Sequence, residues 1–281
     1  MFVPNTDKYP YPEDTSGHFG TFKMDRGIIF DKDYPYVDYS SGFAFKRFWV
    51  RLLMRLIVFP MAKVKMGLKI YGKKNLKKYK KQLSEGAISI SNHVHAWDYI
   101  CVMKALHNIR WPFLLSLDKN INDDSGPLVR LVGGIPIPEH DKEATVVFSK
   151  AINKLLQDKN ILQIYPEGSL WNFYTPIRPF KRGAASIAIK NNKPILPMAF
   201  SYRKPGWIRR KLFKQTALFN LNIGKPLYAN PDLKLTAQVD DLTARAHQAV
   251  CRLAGFEDNN IYSPIYNKDS KRKEFKEEDI L

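Results

Sequence analysis

The sequence predicts an α/β fold: a mostly parallel central sheet with helices on both faces, preceded by an N-terminal amphipathic helix. Three observations carry that expectation. Short β-rich runs recur at 67–72, 87–91, 113–117, 135–137, 161–165, 195–201 and 217–223. Helical periodicity falls between several of them, and strands separated by helices imply parallel neighbours covered on both sides. A chain of 281 residues, 44% hydrophobic and 13% aromatic, is long and apolar enough to fill such a core.

Residues 1–42 are rich in Tyr, Phe, Asp and Pro and follow neither period. They read as an extended arm, ordered only if its aromatics dock on the rest of the chain. The first fifteen residues lack the basic and apolar regions of a signal peptide, which predicts a protein on the cytoplasmic face of a membrane.

Residues 43–64 form the amphipathic segment. Phe45, Phe48, Trp49, Val50, Leu52, Leu53, Met54, Leu56, Ile57, Val58 and Phe59 supply a wide apolar face, while Arg47, Arg51 and Arg55 fall at i, i+4, i+8. Three arginines and Pro60 argue against a spanning helix, which needs about 20 largely uncharged residues. The expectation is a peripheral or monotopic helix, its apolar face among acyl chains and its arginines at lipid phosphates. The alternative is a helix packed on the domain with the stripe in water.

Residues 65–257 carry the α/β series. One helix is predicted over 142–158, where Phe148, Ile152, Leu155 and Leu156 share a face behind an N-cap at Asp141. A second is predicted over 236–254, ending at Gly255. Residues 258–281 turn highly charged and read as a disordered tail.

The formal net charge of +18 implies a polyanionic partner, and it is regional. Gly42 to Ser84 holds 13 Lys or Arg and no acid; Gly168 to Pro231 holds 12 and no acid. Within the second block, Pro205 to Lys211 joins Trp207 to three cations, a candidate second membrane contact with a solvated loop as its alternative. No nucleic-acid-binding motif accompanies the charge, so an anionic membrane surface is the expected partner. Cys101 and Cys251 form no metal or disulfide pattern; Cys101, among apolar residues, reads as a buried thiol.

The chemistry is expected just past the run Ala87–Ser91, because ligand sites in open α/β sheets gather at the carboxyl ends of strands. Asn92-His93-Val94-His95-Ala96-Trp97-Asp98 follows there. A histidine steadied by a carboxylate suits general-base work: the imidazole takes a proton from an attacking hydroxyl and the carboxylate holds its tautomer. Spacing leaves the histidine open. In a regular helix Asp98 is nearer His95 (i, i+3), and His93 reaches it only from a turn before the helix. His18, His107, His140 and His247 have no recognisable context.

Asn92-His93-x4-Asp98 resembles the His-x4-Asp block of the glycerolipid acyltransferases, the family containing 1-acylglycerol-3-phosphate acyltransferase. Other blocks follow in that family's order. Gly133-Gly134-Ile135-Pro136-Ile137 is similar to the second, and Tyr165-Pro166-Glu167-Gly168-Ser169 to the third. Phe180-Lys181-Arg182-Gly183-Ala184 and Pro194-Ile195-Leu196-Pro197 match the downstream features. The resemblance spans roughly 65–225. It implies acyl transfer from an activated donor to the free hydroxyl of a lysophospholipid, with His93 as base and Asp98 as its orienter. Glu167, Gly168 and Ser169 would hold the acceptor, foremost 1-acylglycerol 3-phosphate. No cofactor is implied; acyl-CoA, acyl-carrier protein and acyl phosphate all remain open as donors.

Two positions depart from the pattern. Glu139 and Leu170 stand where the family usually has arginines for the acceptor phosphate, and a carboxylate at 139 would repel that group. Arg178, Lys181 and Arg182 are the candidates to supply the charge; otherwise the acceptor's polar group differs. Two other classes compete. A metal-dependent hydrolase would use His93, His95 and Asp98 as ligands, and a non-catalytic binder of anionic lipid or nucleic acid would use the basic blocks alone.

Overall fold

The computed structural model describes residues 2–7, 9, 11–13, 25–139 and 141–256. Each of the seven β-rich runs forms a strand: β1 Lys69–Tyr71, β2 Ala87–Ile90, β3 Phe113–Leu117, β4 Gly134–Ile137, β5 Ile161–Ile164, β6 Ile195–Arg203 and β7 Leu218–Ile223. They make one sheet of order β1-β7-β6-β2-β5-β3-β4. Ile88 on β2 pairs with Leu162 of β5 and Ile195 of β6, and every neighbouring pair is parallel except β6 with β7. The central strand β2 is buried at all four positions, as a parallel strand covered on both faces must be. Its one polar side chain, Ser89, donates to Gln163 Oε1 at 2.7 Å.

The helices are α1 Ser41–Leu53, α2 Phe59–Lys65, α3 Lys73–Lys78, α4 Lys80–Ser84, α5 Asp98–Leu106, α6 Asp118–Asn122, α7 Gly126–Leu131, α8 Lys142–Gln157, α9 Gly183–Lys190, α10 Trp207–Phe213 and α11 Leu235–Ala254. Residues of α8, α9 and α11 close one face of the sheet around Ile88, Ile90 and Ile164. Residues of α3, α4 and α5 close the other, around Ala87, Met198 and Phe200. The alternation of Ala87 with Ile88 across β2 divides the two cores. Asp141 caps α8 by accepting the Ala144 N–H at 3.1 Å, and Gly255 ends α11 at φ 89°.

The amphipathic segment runs over 41–65 as α1, a π-helical turn at Met54–Val58, and α2. Its orientation differs from the expectation. Arg47 lies over the Phe43 and Phe113 rings and Arg51 over Trp111, so two of the three arginines face the domain. Burial lowers both side-chain pKa values, Arg51 to about 10. Guanidinium is weakly hydrated and stacks on aromatic faces, which offsets its desolvation in a way an ammonium could not match. Met54, Phe59 and Ala62 complete the inner line. Phe45, Phe48, Trp49, Leu56, Ile57, Met61 and Val64 point outward and are exposed, as is Arg55. No helix among the described residues is long and apolar enough to cross a membrane.

The arm does dock where it is described. Tyr36 is buried with its hydroxyl donating to Phe30 O at 2.8 Å, and Arg130 donates to the backbone oxygens of Pro35 and Tyr36. The expected tail at 258–281 lies outside the described residues.

Candidate active site

β2 ends at Ile90, and the next three residues turn across the top of the sheet. Asn92 fixes that turn: its side chain accepts the Phe200 N–H at 2.7 Å and donates to the Phe200 carbonyl at 3.2 Å, which ties the turn to β6. His93 therefore sits outside any helix. Asp98 opens α5, and its carboxylate folds back over the turn that precedes it.

That geometry brings the Asp98 carboxylate to the His93 ring rather than to that of His95. Asp98 Oδ2 lies 3.1 Å from His93 Nδ1 and accepts the backbone N–H groups of Val94 at 2.6 Å and His95 at 2.8 Å. A carboxylate only accepts, so the contact places hydrogen on Nδ1 and leaves the lone pair on Nε2. Asp98 is fully buried, whereas the His93 side chain keeps 23% of its surface accessible. The ring is held flat against Tyr165, 3.8 Å between centroids and 9° between planes. His95 instead accepts the Trp97 N–H at 3.0 Å and packs edge-on against Phe173 and Phe219. Burial lowers its pKa, which keeps it neutral near pH 7.

The third block lies directly past β5. Glu167 is buried and reaches both ways: Oε2 accepts the His93 N–H at 3.1 Å and the Arg178 Nη2 at 2.9 Å, while Oε1 accepts the Arg178 N–H at 2.9 Å. Arg178 is fully buried; its Nη1 donates to Ser169 Oγ at 2.6 Å and its Nη2 also to the Ser169 carbonyl. Trp171 covers the guanidinium at 4.5 Å, and Tyr11 of the arm stacks on Trp171 at 5.3 Å. Arg178 was expected to meet the acceptor. Its guanidinium is fully buried between Glu167, Ser169 and Trp171. Glu167 and Ser169 are likewise turned inward. The sequence allows Glu167 to be a salt-bridge partner but does not name Arg178, eleven residues away across an irregular loop.

Gly168 adopts φ +83° and is approached closely by Lys181, whose Cε and Nζ lie 2.8 Å from where a Cβ at 168 would sit. The positive φ is what favours glycine here, since the end of the lysine side chain could swing aside. Lys181 is exposed and brings its ammonium to the third block. Arg182 turns away: its Nε pairs with Asp240 of α11 at 2.9 Å. Glu139 is exposed beyond the end of β4, the edge strand three places from β2 in the sheet. Among the described residues no group of three or more His, Cys, Asp or Glu could hold a metal ion.

These elements agree with a comparison against known families: residues 67–201 match the family model described as Acyltransferase. The matched stretch covers just under half of the chain. It runs from just before β1 into β6 and contains His93, Asp98, Glu167, Gly168, Ser169, Arg178, Lys181 and Arg182. Among solved structures, the 1-acyl-sn-glycerophosphate (LPA) acyltransferase PlsC from Thermotoga maritima is similar at a TM-score of 0.50 and 14% identity. The match covers 78% of this chain and 90% of that one. A likeness at that identity bears on the fold. A search of curated proteins finds no match to the chain.

Sequence reasoning also passed over His247. From α11 it hydrogen-bonds the backbone at Ile177 and Arg178, and its ring meets Phe180 edge-on at 4.9 Å. It thereby holds the segment that carries Arg178 into the core. Burial pushes its pKa from 6.5 down to about 4. The unfolded chain therefore takes up this proton first as pH falls. Stability from the neutral ring is complete above pH 6.5 and declines between about 6.5 and 4, by ~3 kcal/mol from this group. Melting curves across that range should show a shallower decline for His247→Leu than for wild type; parallel declines would contradict the assignment.

Proposed function

We propose that the chain is an O-acyltransferase that moves a fatty acyl group from an activated donor to the free hydroxyl of a lysophospholipid-type acceptor. The leading acceptor is 1-acyl-sn-glycerol 3-phosphate, which would give phosphatidic acid. The observation that carries this reading is the His93–Asp98 pair. Its outer nitrogen is available at the carboxyl end of β2, inside a domain matching the acyltransferase family.

In the proposed reaction, His93 Nε2 accepts the acceptor's hydroxyl proton as that oxygen attacks the acyl carbonyl. Asp98 stabilises the imidazolium that forms. Collapse of the tetrahedral intermediate breaks the bond to the donor's leaving group; with a thioester donor, the sulfur leaves and takes the proton back from His93. No enzyme nucleophile is required. Glu167 and Arg178 act as positioning residues: the first holds the His93 N–H, the second holds Glu167 and Ser169. Lys181, at Gly168, is the group placed to meet an acceptor phosphate.

We assign residues 65–257 to the catalytic domain, 43–64 to a membrane-surface helix, and 1–42 and 258–281 to an arm and a tail. The outward apolar face of 41–65 supports a peripheral association with an anionic bilayer.

The deciding experiment offers purified protein an acyl thioester with a panel of lysolipids, glycerol 3-phosphate and monoacylglycerol. Transfer to none of them would refute the proposal. Lys181→Met should raise KM for phosphate-bearing acceptors about tenfold to a hundredfold, the range for one charged hydrogen bond, and leave monoacylglycerol unaffected. Equal effects on both would remove Lys181 from the phosphate. Glu139 and Leu170 favour a second reading, an acceptor without phosphoglycerol; the same panel would show it as a preference for the uncharged acceptor.

A further inference from the structure

α10 is a helix with no interior side. None of its residues is buried, and Trp207, Ile208, Leu212 and Phe213 all expose large apolar surfaces, Trp207 at 67% and Leu212 at 71%. Seven residues in the link between two strands would ordinarily be polar, since nothing among the described residues covers them. The helix is nevertheless held firmly. Arg209 Nη1 donates to the Val64 carbonyl at 3.0 Å, and Gln215 Nε2 donates to the carbonyls of Val64 at 3.1 Å and Lys65 at 2.6 Å. These bonds satisfy oxygens left open at the carboxyl end of α2, so α10 is docked on the end of the 41–65 helix. Arg209 of α10 is thereby held at Val64, whose side chain is exposed, as is that of Met61 one turn earlier in α2.

Topology locates this patch. β6 runs parallel to β2, so Arg203 and the start of α10 lie at the same end of the sheet as His93. From the other side, Lys65 places its ammonium 4.4 Å over the Trp97 ring, one residue before Asp98. The charge around the patch has one sign: Lys63, Lys65, Lys204, Arg209, Arg210, Lys211 and Lys214, with no acid between Glu167 and Asp232.

We propose that α10 and the end of α2 form a second lipid-contact surface that docks the active-site end of the sheet onto an anionic bilayer. The proposal rests on the acyltransferase reading above for its purpose, delivery of a membrane-resident acceptor to His93, though not for the binding itself. Large apolar side chains ringed by cations are what the boundary between acyl chains and anionic headgroups accommodates. A second copy of this chain is disfavoured as occupant, because two such faces would oppose cation to cation.

The test uses the full chain and vesicles of phosphatidylglycerol with phosphatidylcholine. Ile208→Ser/Leu212→Ser/Phe213→Ser should weaken vesicle association by about tenfold or more. It should leave the melting temperature and turnover on a water-soluble short-chain acceptor at wild-type values, while turnover on vesicle-embedded acceptor falls in parallel with binding. Brominated lipids should quench wild-type tryptophan fluorescence, and Trp207→Phe should lose that share of the quenching. This arm reads the surface even if the triple variant fails to fold. Undiminished association of a folded triple variant, or no quenching at Trp207, would overturn the proposal. So would a wild-type dimer that the triple variant converts to monomer without change in vesicle binding. Because association is read without turnover, failure of the acceptor panel would leave this result standing.

Discussion

His93→Ala is expected to lower acyl transfer by about 10²–10⁴-fold, the contribution of a positioned general base, while the protein melts close to the wild-type temperature. The split follows from the partners of Asp98. Removing the imidazole takes one of three donors from Oδ2; the N–H groups of Val94 and His95 still hold the buried carboxylate and keep the turn in place. Asp98→Asn should lose comparable activity for a different reason. An amide at 98 presents a donor as well as an acceptor, so it no longer enforces hydrogen on Nδ1 and a lone pair on Nε2. It also meets two backbone N–H groups with a weaker acceptor, so this variant should melt lower than His93→Ala. Initial rates with an acyl thioester, read beside thermal melts, separate the two effects. Activity of His93→Ala within about threefold of wild type would remove His93 from the base position.

Glu167→Ala should be the most destabilising single change in the site, by ~3–5 kcal/mol. It strands the Arg178 guanidinium, which is wholly buried and paired to Glu167 at 2.9 Å. In a chain of this size that corresponds to a drop of roughly 10 °C in melting temperature. Glu167→Ala/Arg178→Met should recover much of that loss, since an unpaired buried cation is costlier than an apolar side chain of similar length. Activity should not recover with stability. The His93 N–H loses its acceptor in either variant, and the turn that positions the imidazole loses one anchor. A double variant as active as wild type would reduce the Glu167–Arg178 pair to a packing element.

Strand positions were readable because a parallel sheet covered on both faces needs compact β-rich runs, and Ala87–Ile90 or Ile161–Ile164 can be little else. The His-x4-Asp spacing pointed to His93 with Asp98 only with help from the blocks downstream. The partner of Asp98 depends on where α5 begins, and Asn92 decides that through a bond to Phe200, 108 residues away. Charge was legible in sum and by region but not in direction. Arg47 and Arg51 look like a solvent or lipid stripe until the Phe113 and Trp111 rings are placed beneath them. Arg178 and Arg182 sit four residues apart among cations, yet one turns in to Glu167 and the other out to Asp240. Those outcomes belong to tertiary partners, which no local pattern contains.

The π-helical turn at Met54–Val58 gives the 41–65 helix a property that neither α1 nor α2 has alone. Its marker is the Phe59 N–H, which bonds to Met54 O, five residues back rather than four. One residue is in effect added to an otherwise continuous helix, and each residue of an α-helix advances the azimuth by about 100°. The two halves are therefore out of phase by a fixed angle. Deleting a single residue from the turn would close it into ordinary helix and swing everything upstream by that angle. Arg47 and Arg51 would then leave their rings, and Phe45 and Trp49 would leave the outward face. The rod is better regarded as two faces set by one angular offset, with a five-residue turn as the adjusting element.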